Sequence, residues 1–384
     1  MTRWLVVLLM LGTATAVATP LDKPAFTATP AELIASAKAS PTTGPTAILR
    51  YDVHLELDGL GRRTRRTRFV YVVRAQSAVD GWGTLFHFYR PFFQDRPAVR
   101  VRVVAADGNV TKLDLSTVRD APAEPNGDRR RIVIPIPKLA VGSIVEEEVT
   151  IRDRVPIHEG GGIERIRIGD VVASPVHVVI AAPVARKLQL RTRNVPASIA
   201  PRHEVIGATE RWTYDLTLPA TPARAPNSPT DPPPPVEPSA GPAARRAAPR
   251  PSPRAVDRRI AEGPVALPAE LPTTPTLETV RAITGWVRRT VKFDGVDLRD
   301  SALVPSPPAA TLKRASADAK DLGTLLVAAL RRAKVRADLV VVASGPKADV
   351  DGPIGGLDEF GHVLVRARLA NHDVWIEVTE PLAQ

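Results

Sequence analysis

The 384 residues contain no cysteine. Disulfides, thiolate metal sites, iron–sulfur clusters and thiol nucleophiles are thereby excluded, and any chemistry falls to Ser, Thr, His and carboxylates. His54, His87, His177 and His203 are scattered over the first half without metal-ligand spacing. His158-Glu159-Gly160-Gly161-Gly162 has the make-up of a metal or phosphate loop. It lacks the second histidine of a zinc helix and no helix follows it, so it reads as a flexible turn. No metal and no cofactor is implied. Arg62, Arg63, Arg65, Arg66 and Arg68 form a run of arginines. A patch for an anionic polymer is one reading; a solvated hairpin guarding a sheet edge is the preferred one.

In the last third, Asp318, Lys320 and Asp321 precede an apolar helical stripe, and His362 and Glu377 lie on two neighbouring predicted strands. His362 is open to two readings, a satisfied core histidine or a cleft residue. A flush two-residue turn sets Glu377 opposite Arg366 as an ordinary cross-strand ion pair. A modest register shift or bulge would instead carry the acid towards His362.

The elements that must position these residues fall into blocks. Residues 1–18 have a basic start at Arg3, an apolar run from Trp4 to Leu11 and the triplet Ala16-Val17-Ala18. That is the pattern of a cleaved export signal peptide, and the run is too short to span a bilayer. Residues 19–46 read as a flexible lead-in with one short helix around 31–38. Over 47–218, Tyr51, Val53, Leu55 and Leu57 alternate with polar residues, and further β-rich runs follow at 68–74, 99–103, 131–136, 144–151, 176–180 and 188–193. Short strands with turn signals and no convincing helix between them predict an antiparallel β-sandwich. Residues 219–275 hold 17 of the 39 prolines, which predicts an extended linker.

Residues 276–384 change to an α+β pattern. Val280, Ile283, Trp286 and Val287 share a helical face, and Leu322, Leu325, Leu326, Ala329, Leu330 and Ala333 form the stripe of a second helix. Ser316 or Asp318 caps its start. Strands at 337–343, 360–369 and 374–378 follow, the last two as a hairpin. The net charge of +11 rests on 42 Arg against 10 Lys. With Ala and Pro also abundant, that ratio reads as coding bias rather than a binding adaptation, and with export expected it argues against a nucleic-acid role.

In this order, these segments resemble secreted bacterial proteins that pair an uncharacterised N-terminal β-sandwich domain with a C-terminal transglutaminase-like domain. The likeness rests on Phe88-Tyr89-Arg90-Pro91, the stretch 99–108, Ile134-Pro135-Ile136-Pro137-Lys138-Leu139 and Gly142-Ser143-Ile144-Val145-Glu146 in the first domain. In the second it rests on Pro305, Ala317-Asp318-Ala319-Lys320-Asp321, Phe360-Gly361-His362 and Trp375-Ile376-Glu377-Val378-Thr379. The superfamily pattern there is Gly-Asp-Cys-Lys-Asp, Phe-Asn-His and Trp-Leu-Asp-Pro-Thr, with a Cys–His–Asp triad. The resemblance thus places the nucleophile at Ala319, the base at His362 and the orienting acid at Glu377. Members of that group usually continue past the position of Thr379, so the resemblance leaves open whether the second domain is shortened here or ends naturally.

An alanine methyl cannot attack a carbonyl, so the resemblance implies a catalytically inactive, exported protein that binds or scaffolds a peptide, a protein or a cell-envelope polymer. Lys320, Asp321, Trp286 and Trp375 are its expected cleft-binding residues. The competing expectation is a hydrolase or acyltransferase that uses a hydroxyl, or water activated by His362. A purely structural envelope protein, with all function in the first domain, is a third.

Overall fold

The computed structural model describes residues 19–41, 44–123, 128–156, 164–166, 175–193, 199–217, 237–242, 253–296, 304–342 and 361–379. The leader-like residues 1–18 and the glycine loop after His158 lie outside them. The architecture is mostly β with several helices.

The first part runs α1 (Pro30–Ala39), β1 (Thr46–Leu57), β2 (Arg63–Val73), α2 (Gln76–Trp82), β3 (Thr84–Tyr89), β4 (Ala98–Val104) and β5 (Val110–Lys112). It continues through β6 (Arg119–Pro122), β7 (Arg130–Pro135), β8 (Ile144–Arg152), β9 (Glu164–Arg165) and β10 (Pro175–Pro183). It ends with β11 (Leu188–Arg193), β12 (Arg202–Ile206) and β13 (Thr209–Thr217). Eight of these strands form one sheet, ordered β12-β13-β10-β1-β2-β8-β4-β5, and β3-β7-β6 form a second, smaller sheet. The two meet through Tyr71, Val101, Val103 and Val145 on one side and Tyr89, Ile132 and Ile134 on the other. The expectation of a purely antiparallel arrangement fails at one place: β1 and β10 run parallel, Tyr51 opposite Val176. The sequence between them is long enough for a crossover, which period-2 patterning does not reveal.

The predicted flexible lead-in is instead a packed strap. Thr29 caps α1, its hydroxyl accepting from the Glu32 N–H. Leu21, Ala28, Leu33 and Ala37 are buried against Leu49, Val70, Val104 and Ile144 of the large sheet. Beneath the strap sits Glu146, with no exposed surface. Its carboxylate accepts from Arg68 Nε at 2.9 Å, Arg102 Nε at 2.7 Å and the Phe26 N–H at 2.9 Å. The same arginines reach up to strap carbonyls, Arg68 to Leu21 at 2.9 Å and Arg102 to Ala28 at 2.8 Å. One buried acid therefore ties β2, β4 and β8 to the chain that crosses them.

The arginine run is likewise not a solvated edge. β2 lies inside the sheet between β1 and β8, and Arg63 is buried with its Nε 2.7 Å from Asp153.

The proline-rich stretch also holds regular structure, contrary to an extended linker. β14 (Glu237–Pro242) pairs with β11 and β9, and α3 (Pro253–Glu262) follows. Pro253 opens α3, where a missing N–H costs nothing. Val256 is buried, and Asp257 binds Arg331 at 2.6 Å.

The remainder is α4 (Leu277–Thr290), β15 (Lys292–Phe293), α5 (Pro308–Arg314), β16 (Ser316–Ala317), α6 (Ala319–Arg332), β17 (Arg336–Val342), β18 (His362–Arg368) and β19 (Asp373–Glu377). α6 is buried along its length from Ala319 to Leu330. It lies so close to the β17-β18-β19 sheet that a Cβ on Gly323 would come within 2.4 Å of Leu339 and 3.0 Å of Val363. No helix among the described residues is long and apolar enough to cross a membrane.

Replacing Glu146 by Gln removes the negative charge between two buried guanidinium groups. The expected loss is about 3–5 kcal/mol of unfolding free energy, read from urea melts, with earlier proteolysis of residues 19–39. A loss below about 1 kcal/mol would show that the strap is held by its apolar contacts alone.

Candidate functional site

The start of α6 is the most chemically crowded place among the described residues. Asp318 is its N-cap: the carboxylate accepts the Asp321 N–H at 2.9 Å and also pairs with the Lys320 ammonium. Asp321 accepts from the Ser306 N–H and from Arg314 Nη2, both at 2.8 Å, and lies 3.5 Å from Lys320. Arg314 Nε donates to the Ser316 carbonyl at 2.8 Å. The sequence left Ser316 and Asp318 as alternative caps; Ser316 lies in β16, opposite Lys292.

Lys320 and Asp321 are 4% and 3% exposed, which is tolerable only because each faces opposite charge. Burial pushes the Asp318 carboxyl up from its ordinary value, with the neighbouring Asp321 adding to the rise against the pull of Lys320. Burial acts on Asp321 the same way, but Lys320, Ser306 and Arg314 overcome it and hold that carboxyl down. Burial also raises Asp294.

These groups wall a cavity of about 650 Å³, lined also by Lys292, Phe293 and Val304. Cations from Lys292, Arg314 and Lys320 face acids from Asp294, Asp318 and Asp321 around one space. Such a lining suits a ligand carrying both charges, or a chain with alternating donors and acceptors. Ser306 and Ser316 supply its hydroxyls, and no histidine among the described residues lines it. A hydroxyl without a base in reach is a weak nucleophile.

Of the expected cleft-binding residues, Lys320 and Asp321 line the cavity; Trp286 and Trp375 do not. Trp286 packs, partly buried, against the core. Trp375 is 54% exposed on β19, with the Arg366 guanidinium 5.8 Å from its ring centre. Lys320 is engaged by two aspartates rather than held out as a free binding cation.

Ala319 is fully buried, its N–H donating to the Val296 carbonyl at 3.2 Å. His362 and Glu377 do come together, Nε2 on Oε2. The hairpin turn explains why. Arg368 pairs with Asp373, and the Leu369 N–H donates to the His372 carbonyl at 3.0 Å, so the two residues of the turn are Ala370 and Asn371 rather than Asn371 and His372. The register moves so that Trp375, not Glu377, opposes Arg366, and Glu377 opposes Leu364. Glu377 then lies diagonally across from His362 on the same face.

The acid is well anchored. Its other oxygen accepts the Thr379 N–H at 2.8 Å and the Thr379 hydroxyl at 2.7 Å, and Arg288 donates to its carbonyl at 2.6 Å. Partial burial would raise the Glu377 carboxyl, but the Thr379 N–H, His362 and the Thr379 hydroxyl outweigh it and hold the pKa below 4.5. The pair can orient an imidazole, the role a carboxylate plays beside a catalytic base. Sequence reasoning missed Lys292, Asp294, Ser306 and Arg314, which carry no motif. Only Asp294-Gly295, a turn signal after a helix, marked their neighbourhood.

Three other histidines meet an acid: His87 with Glu147 at 2.6 Å, His177 with Asp215 at 2.6 Å and His203 with Glu210 at 3.5 Å. Among the described residues no group of three His, Asp or Glu is arranged to hold a metal.

Residues 60–222 match the family described as Domain of Unknown Function with solved-structure structure, DUF3857. No curated protein sequence matches the chain. Among solved structures, the chain is similar to one described as "a putative protease" from Parabacteroides distasonis, with a TM-score of 0.66 and 15% identity over 88% of this chain and 68% of that one. This likeness establishes a shared fold. The M1 zinc metallopeptidase of Deinococcus radiodurans aligns over 70% of this chain and 61% of its own, at 12% identity and a TM-score of 0.28, which is too low to carry an argument.

Because Glu377 titrates below its ordinary 4.5 in the folded chain, its contribution to stability is present above that pH and is lost as pH falls through the folded value. Melting temperature measured from pH 7 to pH 3 should fall less steeply for Glu377→Gln than for the wild type. Equal slopes would mean that the contacts to His362 and Thr379 do not persist in solution.

Proposed function

We propose that residues 276–384 form a transglutaminase-like domain that has lost its nucleophile, behind a β-sandwich domain, and that the exported protein is a binding or scaffolding module for a peptide or cell-envelope polymer. The observation that carries this reading is the alanine at position 319. It occupies the first turn of the buried helix α6, where a helix dipole would favour the thiolate of a cysteine, while the His362–Glu377 pair is kept. A maintained base and orienting acid in a chain whose expected nucleophile position holds a methyl group favours a scaffold that outlived its chemistry. Loss of the covalent nucleophile removes most of the rate in triads of this kind.

The mixed-charge cavity at the start of α6 is the peptide-sized space this reading offers. Its alternating cations and acids match the charged termini and amide groups of a short peptide. The protease designation of the similar structure is in keeping with a scaffold that handles peptide chains elsewhere.

The second reading, a hydrolase using a serine or His-activated water, draws on the retained histidine. Against it stands the cavity, whose hydroxyls at Ser306 and Ser316 share no lining with His362. Release of ammonia or amine from a peptide-amide pool decides between the two. Wild-type protein should match buffer, and His362→Ala should leave that background unchanged. Turnover above buffer that disappears in His362→Ala would overturn the binding reading.

A further inference from the structure

The small sheet β3-β7-β6 has one face on the core and one turned away from it. Leu85, Tyr89, Ile132 and Ile134 point inward. By strand alternation Phe86 and Phe88 point outward, where they are 49% and 46% exposed and join no core cluster. Opposite them on β7 stand Val133 and Arg131, and Arg119 of β6 lies across from Val133.

Each ring carries a guanidinium. Arg129 lies 4.8 Å from the centre of Phe88, and Arg131 lies 5.5 Å from the centre of Phe86. The nearest acid on these strands, Asp120, is drawn away: it accepts from the Tyr89 hydroxyl at 2.6 Å and from Arg130 Nε at 2.7 Å. The face therefore combines two aromatic rings, about 7 Å apart along one strand, with the guanidinium groups of Arg119, Arg129 and Arg131.

We propose that this outer face docks an acidic polysaccharide, with Phe86 and Phe88 packing on sugar rings and Arg119 and Arg131 holding its carboxylates. The proposal rests on the binding reading above and names the surface and the polymer.

Charge complementarity selects the occupant. Guanidinium forks match carboxylates two bonds at a time, and phenylalanine, lacking any polar handle, packs on the apolar faces of sugars. A second copy of the chain is disfavoured, since a self-complementary contact would set arginines against arginines. Single-stranded nucleic acid favours a groove that tracks its backbone. Here the support is the outer face of a three-stranded sheet.

The test is titration of the full chain with oligogalacturonate, dextran and oligo(dT) by calorimetry. Oligogalacturonate should bind at least about tenfold more tightly than dextran. Phe86→Ala with Phe88→Ala should weaken it on the order of tenfold, two aromatic contacts being lost, with the melting temperature held. Phe86→Leu with Phe88→Leu, which keeps apolar area without the rings, should weaken it too, and this pair decides the matter if the alanine variant melts early. Arg131→Gln should reduce the sensitivity of binding to salt. Undiminished affinity in the folded double variant, equal binding of dextran, or tighter binding of oligo(dT) would overturn the proposal. Peptide-amide turnover would sink the binding reading without touching this surface, whereas failure here leaves that reading standing.

Discussion

Everything in the C-terminal part is arranged around a helix buried from its first residue. α6 brings Lys320 and Asp321 into the interior with it, and a charge in that setting is stable only if an opposite one is within reach. Asp318, Arg314 and the Ser306 N–H meet that requirement. Their positions in turn fix the end of α5, the parallel β15-β16 pair and the walls of the cavity. The other flank of α6 is set by Gly323, whose missing side chain lets the sheet carrying His362 approach. Ala319, with no exposed surface, sits at the head of this assembly.

The first part solves a similar problem with Glu146. The arginine excess looked like coding bias, but Arg63, Arg68 and Arg102 form buried ion pairs within or beneath the sheet. A planar guanidinium with several donors can satisfy a carboxylate and a backbone carbonyl together, as Arg68 and Arg102 both do. Composition reports how many such groups exist and nothing about which are inside.

Much of the local structure was legible because it follows from short-range periodicity. The stripe at Val280, Ile283 and Val287 matches α4, and the alternation at Tyr51, Val53 and Leu55 lies within β1. The failures arise where distant segments decide. Nothing near Leu21 or Leu33 announces that they pack on β2 and β8. Pro253 suggested a linker, although a proline at the start of a helix is no obstacle. The parallel β1-β10 pair depends on a crossover. At the site, the Asp318 cap and the membership of Lys320 and Asp321 in the cavity could be read, because capping is local. The His362–Glu377 contact hung on a two-residue turn placed one position earlier in the chain, and Lys292, Asp294, Ser306 and Arg314 converge only through tertiary packing.

The account rests on position 319 being a vacated nucleophile site rather than an ordinary buried alanine. Ala319→Cys, alkylated with iodoacetamide across pH, addresses this directly. The account predicts a thiol that ionises well below the ordinary value of about 8.5, with a profile that moves when His362 is also replaced by Ala. A thiol that ionises at or above that value, indifferent to His362, would contradict it.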